Sequence, residues 1–158
     1  MKLNQPKLKG ATFERQLSEE LTYLTGDGRA PTLVFQCVAG GYLNPKYLEA
    51  MNAAELERKA DVLRMEGIDD PDERAKALQD MLDGYGEKAL RALYDHCVVE
   101  WATNIQSNGQ DMTSDYDHFF ALGESGVPGI ADVYTGLAEF VDTLSNFRGE
   151  AVKEAEKN

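Results

Sequence analysis

The chain has 158 residues, 42% of them hydrophobic and 28% charged, with a formal net charge of −12. This length suits one domain with a sizeable core, and the composition is typical of a soluble globular protein. The acidic balance argues against binding to nucleic acid or anionic membranes, since phosphate contacts need clustered Lys and Arg. The mean hydropathy is −0.46, and no apolar run approaches the roughly 18 residues that span a bilayer.

The cysteines and the N-terminal sequence bear on the compartment. The first residues contain no apolar segment of the kind found in secretory signals, which favours the cytoplasm. Cys37 and Cys97 lie 60 positions apart in apolar stretches, without the second Cys or His pair that a metal site requires. The sequence does not decide whether a disulfide joins them, but buried free thiols are favoured in a cytoplasmic chain. We expect neither a metal nor a cofactor.

The N-terminal third predicts an arm, a helix and a strand. Residues 1–11 are polar and mildly basic and are expected to form a loose arm. Apolar residues at helical spacing favour a helix over 12–24, although Thr22 and Tyr23 would also suit a strand. Residues 32–38 are β-branched and aromatic and predict a strand. Because a lone strand leaves its hydrogen-bonding groups unpaired, this strand must form a small hairpin or associate with another chain.

Two helices with clear start signals follow. Asn44 caps a helix that opens at Pro45 and runs to about residue 66, with its apolar positions spread and much of its surface charged. Asp70 and Pro71 open a second helix, which we expect to end at 84–86, where the sequence is Gly-Tyr-Gly. The acids at 69–73 lack the spacing of a calcium-binding EF-hand loop, so a helix start explains them better.

The strongest helical periodicity in the middle of the chain predicts a helix over 87–104. Its apolar face is formed by Leu90, Leu93, Tyr94, Cys97, Val98, Trp101 and Ile105. Asn108 and Gly109 predict a tight turn, after which Thr113 or Ser114 caps a short helix over 115–122. A metal or acid–base cluster is conceivable there, but capping explains its acids more simply. The residues that such a cluster would use are Asp115, Asp117 and His118.

The last helix is predicted over 130–147, opened by Pro128, and 149–158 reads as a charged, frayed tail. No linker divides the chain. The sequence therefore predicts a single domain over 1–158 of mainly α class. We expect a helical bundle of about five helices, with one short β segment or hairpin near the N-terminus.

The order of these elements resembles the tail assembly chaperones of long-tailed (siphophage-like) bacteriophages. The similar features are the strand TLVFQCVAG leading into Asn44–Tyr47, a helix ending near Trp101, the turn at 108–109, and the aromatic helix DYDHFFAL. The resemblance covers about 32–158. It implies a non-enzymatic protein of the bacterial host cytoplasm that keeps the tape measure protein soluble during tail assembly, with the tail tube protein as a further candidate partner.

No motif residue carries over from that family, so the partner site is placed from the residues themselves. Aromatic side chains on either side of the 105–114 break could form a groove for an amphipathic helix. These are Trp101, Tyr116, Phe119 and Tyr134, although at helical spacing such residues more often belong to the core. Self-association through 32–38 is a further expectation. The alternatives are a structural virion component, such as a head–tail connector or tail completion protein, and an acidic interaction or inhibitor protein.

Overall fold

The computed structural model describes residues 10–147, in which helices, strands and 3-10 turns alternate along the chain. The strands are β1 Ala11–Gln16, β2 Thr32–Cys37, β3 Val98–Thr103, β4 Gln106–Ser107 and β5 Gln110–Asp111. The helices are α1 Pro45–Met65, α2 Pro71–Cys97, α3 Tyr116–Gly123 and α4 Ile130–Asp142. Short 3-10 helices occupy Glu19–Leu24, Gly41–Leu43 and Leu144–Phe147.

The first three strands form one antiparallel sheet in the order β1-β2-β3. Phe13 pairs with Phe35, and Phe35 with Trp101, so that one row of aromatic rings crosses the sheet. All three side chains are buried, whereas Thr12 and Glu14 beside Phe13 face solvent. This alternation is typical of a sheet that packs one face against the core.

Helices α3 and α4 cover the buried face of this sheet. The ring of Phe119 on α3 lies 6.0 Å from that of Phe35, edge to face. On α4, Phe140 lies 5.2 Å from the ring of Phe13. Phe13, Phe35 and Phe119 are each at most 2% exposed. The sheet, α3 and α4 are called the body below.

Helices α1 and α2 form an antiparallel helical hairpin that extends beyond the body. Only Tyr47 from α1, and Ala92, Leu93 and Cys97 from α2, belong to the buried core cluster. Further out, among the described residues, Ala54 and Met81 are the buried apolar residues that hold the two helices together. At 1.5 Å per residue, each helix is about 30 Å or more in length, so most of this hairpin lies outside the core.

Asn44 joins the helical hairpin to the body. Its side-chain oxygen accepts a hydrogen bond from the Tyr47 amide (3.2 Å), which caps α1. Its Nδ2 donates to the backbone oxygens of Ala39 (2.9 Å) and His96 (2.8 Å). One side chain thus connects the end of β2, the start of α1 and the end of α2.

The prediction of a mainly α bundle with one short β segment was wrong. Of the described residues, 59% are helical and 17% lie in strands, in a three-stranded sheet and a small two-stranded one. The fold is mixed α/β. The strand at 32–37 is confirmed, but it lies in the centre of the sheet with both edges paired inside the chain. β2 therefore has no unpaired edge, and this removes the reason for expecting self-association through 32–38.

Two predicted helices are wrong where strands replace them. Residues 11–16 form β1 instead of the first turns of a helix over 12–24, because Phe13 pairs opposite Phe35. The helix predicted over 87–104 ends at Cys97, and Trp101 lies on β3. Val98 and Val99 are β-branched and have strand preference, and pairing with β2 outweighs the helical spacing.

The range predicted for the second helix is shorter than the observed helix, and the range predicted for the last helix is longer. α2 continues through Gly84 and Gly86 to Cys97, since α1 packs along it there. α4 ends at Asp142, and a 3-10 helix follows. The start of α1 at Pro45, the start of α2 at Pro71 and the turn at 108–109 are confirmed.

Some expectations fall wholly or partly outside the structure. Residues 1–9 of the predicted arm and the tail over 149–158 lie outside the described residues, while Ala11 already belongs to β1. Within residues 10–147, no helix is long and apolar enough to cross a membrane.

Candidate functional site

The four aromatic residues predicted to bind a partner come together around Phe119. Its ring lies 4.8 Å from that of Tyr134, 6.0 Å from that of Trp101 and 6.4 Å from that of Tyr116. Phe35, which the sequence did not suggest, completes the group at 6.0 Å from Trp101 and from Phe119. The cluster is a layer between the sheet and the two short helices.

This aromatic cluster is largely part of the core. Trp101 is 3% exposed and Phe119 is fully buried. The Trp101 indole donates a hydrogen bond to the Asp115 backbone oxygen (3.3 Å), and the Tyr134 hydroxyl donates to the Phe119 backbone oxygen. Burial raises the pKa of Tyr134. A partner would reach only the half-buried Tyr116 and Tyr134, and binding by the four residues stays a prediction.

Tyr116 lies at the edge of this cluster and contacts α2. The Arg91 guanidinium lies over its ring, 4.1 Å from the centroid, in a cation–π contact. Its hydroxyl is buried and has no hydrogen-bond partner among the described residues. Burial raises the pKa of Tyr116, and the nearby carboxylate of Glu87 adds to the increase. The contact joins α3 to the base of the helical hairpin.

The polar cluster before α3 serves as a helix cap. Asp115, rather than Thr113 or Ser114, is the cap, because its carboxylate accepts a hydrogen bond from the His118 amide (2.8 Å). Thr113 Oγ1 and Asp115 both contact the same ring nitrogen, Nδ1 of His118. A nucleophile–base–acid relay needs its two partners on different ring nitrogens. The hydrogen bond from Thr113 lowers the pKa of Asp115.

The two cysteines are buried where β2 meets the end of α2. Both are free thiols, and the Val38 amide donates to the Cys97 backbone oxygen (2.8 Å). Burial raises the pKa of each thiol to about 12. Thiols that stay protonated at neutral pH are poor nucleophiles and metal ligands. In the part of the chain that the structure describes, no group of three or more His, Cys, Asp or Glu could hold a metal ion.

Several of the exposed large apolar side chains lie on the helical hairpin, where sequence reasoning placed no site. A first surface, here called the outer stripe, runs along α1 on the side that faces away from α2. It consists of Ala53, Leu56, Ala60 and Leu63, all exposed, with both leucines 68% accessible. The sequence signal was present in the spacing of three, four and three residues, which places these side chains on one helix face.

A second surface, here called the flank groove, lies between the distal ends of α1 and α2. It is an open cavity of about 320 Å³ lined by Val62, Met65, Glu66, Arg74 and Leu78. Leu82, one turn beyond Leu78 on α2, extends its apolar edge. Leu78 is 45% and Leu82 is 48% exposed. Arg74 Nε donates to the Ile68 backbone oxygen (3.0 Å), which holds the loop beside this groove.

Charge is unevenly distributed between the two parts of the molecule. Between Arg91 and Arg148 the sequence contains no Lys or Arg, so the positions of β3, α3 and α4 carry only acidic charges. α1, by contrast, carries four basic and four acidic residues. The body is therefore strongly acidic, whereas the outer helix of the hairpin is electrically balanced.

Comparison with known proteins adds no assignment to this geometry. No protein-family model, no curated protein and no solved structure matches the chain.

Proposed function

We propose that this protein is a non-enzymatic assembly chaperone that holds an amphipathic helix of a client protein in the flank groove of its helical hairpin. The observation that supports this proposal is the set of apolar side chains exposed along that groove. Leu78 on α2 lines the groove with Val62 and Met65 and is 45% exposed, and Leu82, one turn further along α2, is 48% exposed. An isolated chain gains no stability from leucines left in water, whereas a bound helix would bury them.

The resemblance of the sequence to phage tail assembly chaperones suggests the client. In that reading the client is the tape measure protein, a long helical chain that aggregates unless it is covered, and the tail tube protein is a further candidate. The complex would form in the bacterial host cytoplasm. An amphipathic helix has apolar side chains one turn apart along one face, and an apolar groove can bury such a row of side chains. The net charge of −12 would keep a chaperone–client complex soluble.

Co-expression with the tape measure protein tests this function. We expect the client to remain in the soluble fraction with the wild-type chain and to precipitate without it. Leu78→Glu and Leu82→Glu should each reduce the soluble client several-fold, because a carboxylate would be buried against the client's apolar face. Leu56→Glu is the matched control, since it places the same charge on the opposite side of the hairpin. A client that is equally soluble without this chain would overturn the proposal.

The acidic body favours a second candidate function, an acidic interaction protein with a basic partner. The absence of Lys and Arg from 92–147 is the observation behind it. Such binding would weaken steeply as salt rises, since it depends on long-range charge attraction. Binding in the flank groove would change little with salt. Measuring partner affinity at low and high salt therefore separates the two candidates.

A further inference from the structure

The outer stripe of α1 is accessible along its whole length. Residues 53, 56, 60 and 63 follow the alternating spacing of three and four that forms the seam of a two-stranded coiled coil. α1 packs chiefly against α2 and the 3-10 helix Gly41–Leu43. The stripe lies on the side of α1 away from those contacts, since Leu56 is rotated about 200° from the buried Ala54 at 100° per residue.

The charges beside this stripe are balanced, unlike those of the rest of the molecule. Lys46 and Glu49 continue the stripe towards the start of α1, Lys59 lies on one side of it, and Glu57 and Arg64 lie on the other. Two copies of a chain with a net charge of −12 repel each other over most of their surfaces. This helix face is a place where they can approach without net repulsion. A strongly basic partner would instead favour the acidic body.

We propose that a second copy of this chain covers the outer stripe, with the two α1 helices antiparallel about a two-fold axis near Ala60. Leu56 lies four positions before Ala60 and Leu63 three after it, so each Leu56 would pack against the partner's Leu63. The small side chain of Ala60 at the axis lets the helices approach closely. A two-fold axis makes every contact occur twice, as in most protein dimers.

The same arrangement makes one flank of the interface electrostatically complementary. Glu57 and Arg64 lie on one side of the stripe, and antiparallel pairing brings Glu57 beside the partner's Arg64. Inside the chain, Glu57 pairs with Lys88 on α2 and Arg64 pairs with Asp61, so both side chains would exchange these partners for each other when two copies meet. On the other flank Lys59 faces the partner's Lys59, which limits the affinity. The interface is narrow, so the dimer dissociates on dilution.

Sedimentation velocity over a range of protein concentrations tests this pairing without any client. We expect the wild-type mass to rise from monomer towards dimer as concentration increases. Leu56→Glu and Leu63→Glu should each weaken association at least tenfold, because each places two carboxylates in the seam. Both side chains are exposed, so the fold should be retained, as circular dichroism would show. Leu82→Glu is the matched control on the flank groove and should dimerise like the wild type.

The same experiment has two outcomes that overturn the proposal. One is a wild-type chain that stays monomeric at all concentrations. The other is a Leu82→Glu variant that loses association as strongly as Leu56→Glu, which would place the contact elsewhere. Neither outcome bears on the client experiment above, so failure of the dimer and failure of the proposed function are distinguishable.

Cysteine cross-linking tests the antiparallel geometry. Ala60→Cys should form an intermolecular disulfide on oxidation, because its two copies meet at the axis. Ala53→Cys, on the same stripe, should not, because its two copies lie far apart along antiparallel helices. The native Cys37 and Cys97 are buried and should not react in the folded chain. Equal cross-linking of both variants would indicate parallel helices and overturn the proposed arrangement.

Discussion

The body and the helical hairpin differ in how much apolar surface each buries. In the body, Phe13, Phe35 and Phe119 are at most 2% exposed. The ring of Phe35 packs against both of the other rings in one aromatic layer. In the distal hairpin, Ala54 and Met81 are the buried apolar residues of the described chain that lie outside that core. The body therefore holds most of the hydrophobic stabilisation, at roughly 25 cal/mol per Å² buried.

The hairpin is held by different and weaker interactions. Asn44 and Asp70 cap its helices, and exposed ion pairs such as Arg91–Asp95 lie along it. An exposed pair of this kind contributes about 0–1 kcal/mol. The leucines that could strengthen the hairpin from inside face solvent instead. The comparison indicates that the body contains most of the buried core, while the hairpin leaves large apolar side chains exposed.

The largest expected effect is alkaline unfolding of the body. Burial raises the pKa of Cys37 and Cys97 from 9.0 to about 12, so above pH 9 the unfolded chain loses protons that the folded chain keeps. The free energy of unfolding that depends on the protonated thiols should be fully present below about pH 9. It should fall as the pH rises to about 12, by up to about 1.4 kcal/mol per thiol for each pH unit. Urea unfolding at several pH values measures it. A Cys37→Ala, Cys97→Ala double variant should give a flatter profile, and an unchanged slope would contradict the explanation.

The next effect is the loss of the central ring of the body. Phe119→Ala removes a fully buried side chain that contacts Trp101 and Tyr134, and should lower the free energy of unfolding by about 3–5 kcal/mol. Urea denaturation monitored by tryptophan fluorescence gives this value. Tyr23→Ala, at a 75% exposed aromatic residue, is the control and should change stability by no more than about 0.5 kcal/mol.

The equivalent change in the hairpin should cost less. Met81→Ala removes a buried side chain from a thin contact between two helices, and we expect a loss of about 2 kcal/mol. Circular dichroism measured against urea concentration gives this loss. Leu82→Ala, at the half-exposed neighbouring residue, is the control and should cost less. A loss as large as that of Phe119→Ala would show that the hairpin is as tightly packed as the body.

Asn44 connects the two regions, and its loss should affect both. Asn44→Ala removes the cap of α1 and leaves the backbone oxygens of Ala39 and His96 without their donor. We expect the free energy of unfolding to fall by about 1–2 kcal/mol. Hydrogen exchange should show faster opening at the start of α1 and the end of α2 together. Asn52→Ala, at an exposed position of α1, is the control and should leave exchange there unchanged.

The smallest expected effect is a stabilisation of the hairpin. Gly86 lies inside α2, and an added Cβ would meet no atom within 4 Å. Gly86→Ala should raise the free energy of unfolding by about 0.5–1 kcal/mol, because alanine loses less backbone entropy than glycine in a helix. Thermal unfolding measures it. Gly129→Ala should act in the opposite direction, since Gly129 has a φ of 87° and Leu17 lies 3.2 Å from an added Cβ.

Local signals in the sequence predicted elements whose cause is local. The starts of α1 and α2 at Asn44-Pro45 and Asp70-Pro71 are confirmed, because capping and proline at the first turn act within a few residues. The turn at Asn108 and Gly109 is confirmed for the same reason, since both residues adopt the positive φ that the turn requires. β2 is confirmed from its β-branched and aromatic composition.

Where the sequence prediction was wrong, the structure of a segment is set by the strand or helix that packs against it. Phe13 and Trp101 fit helical spacing, yet both lie on strands because each pairs with Phe35 across the sheet. Gly84 and Gly86 suggested a helix end, yet α2 continues because α1 packs along it. The aromatic residues chosen as a partner site form a core layer, while the outer stripe was visible as a spacing but not as an exposed face.

The sequence by itself determined the caps of α1 and α2, the tight turn, the central strand and the acidic charge, because each depends on neighbouring residues or on composition alone. Only the tertiary structure decided that three segments distant in the chain form one sheet, and that Trp101 and Phe119 are buried. It alone also distinguished the inner face of α1 from the outer one. The physical reason is that periodicity fixes which side chains share a face, whereas burial depends on what packs against that face.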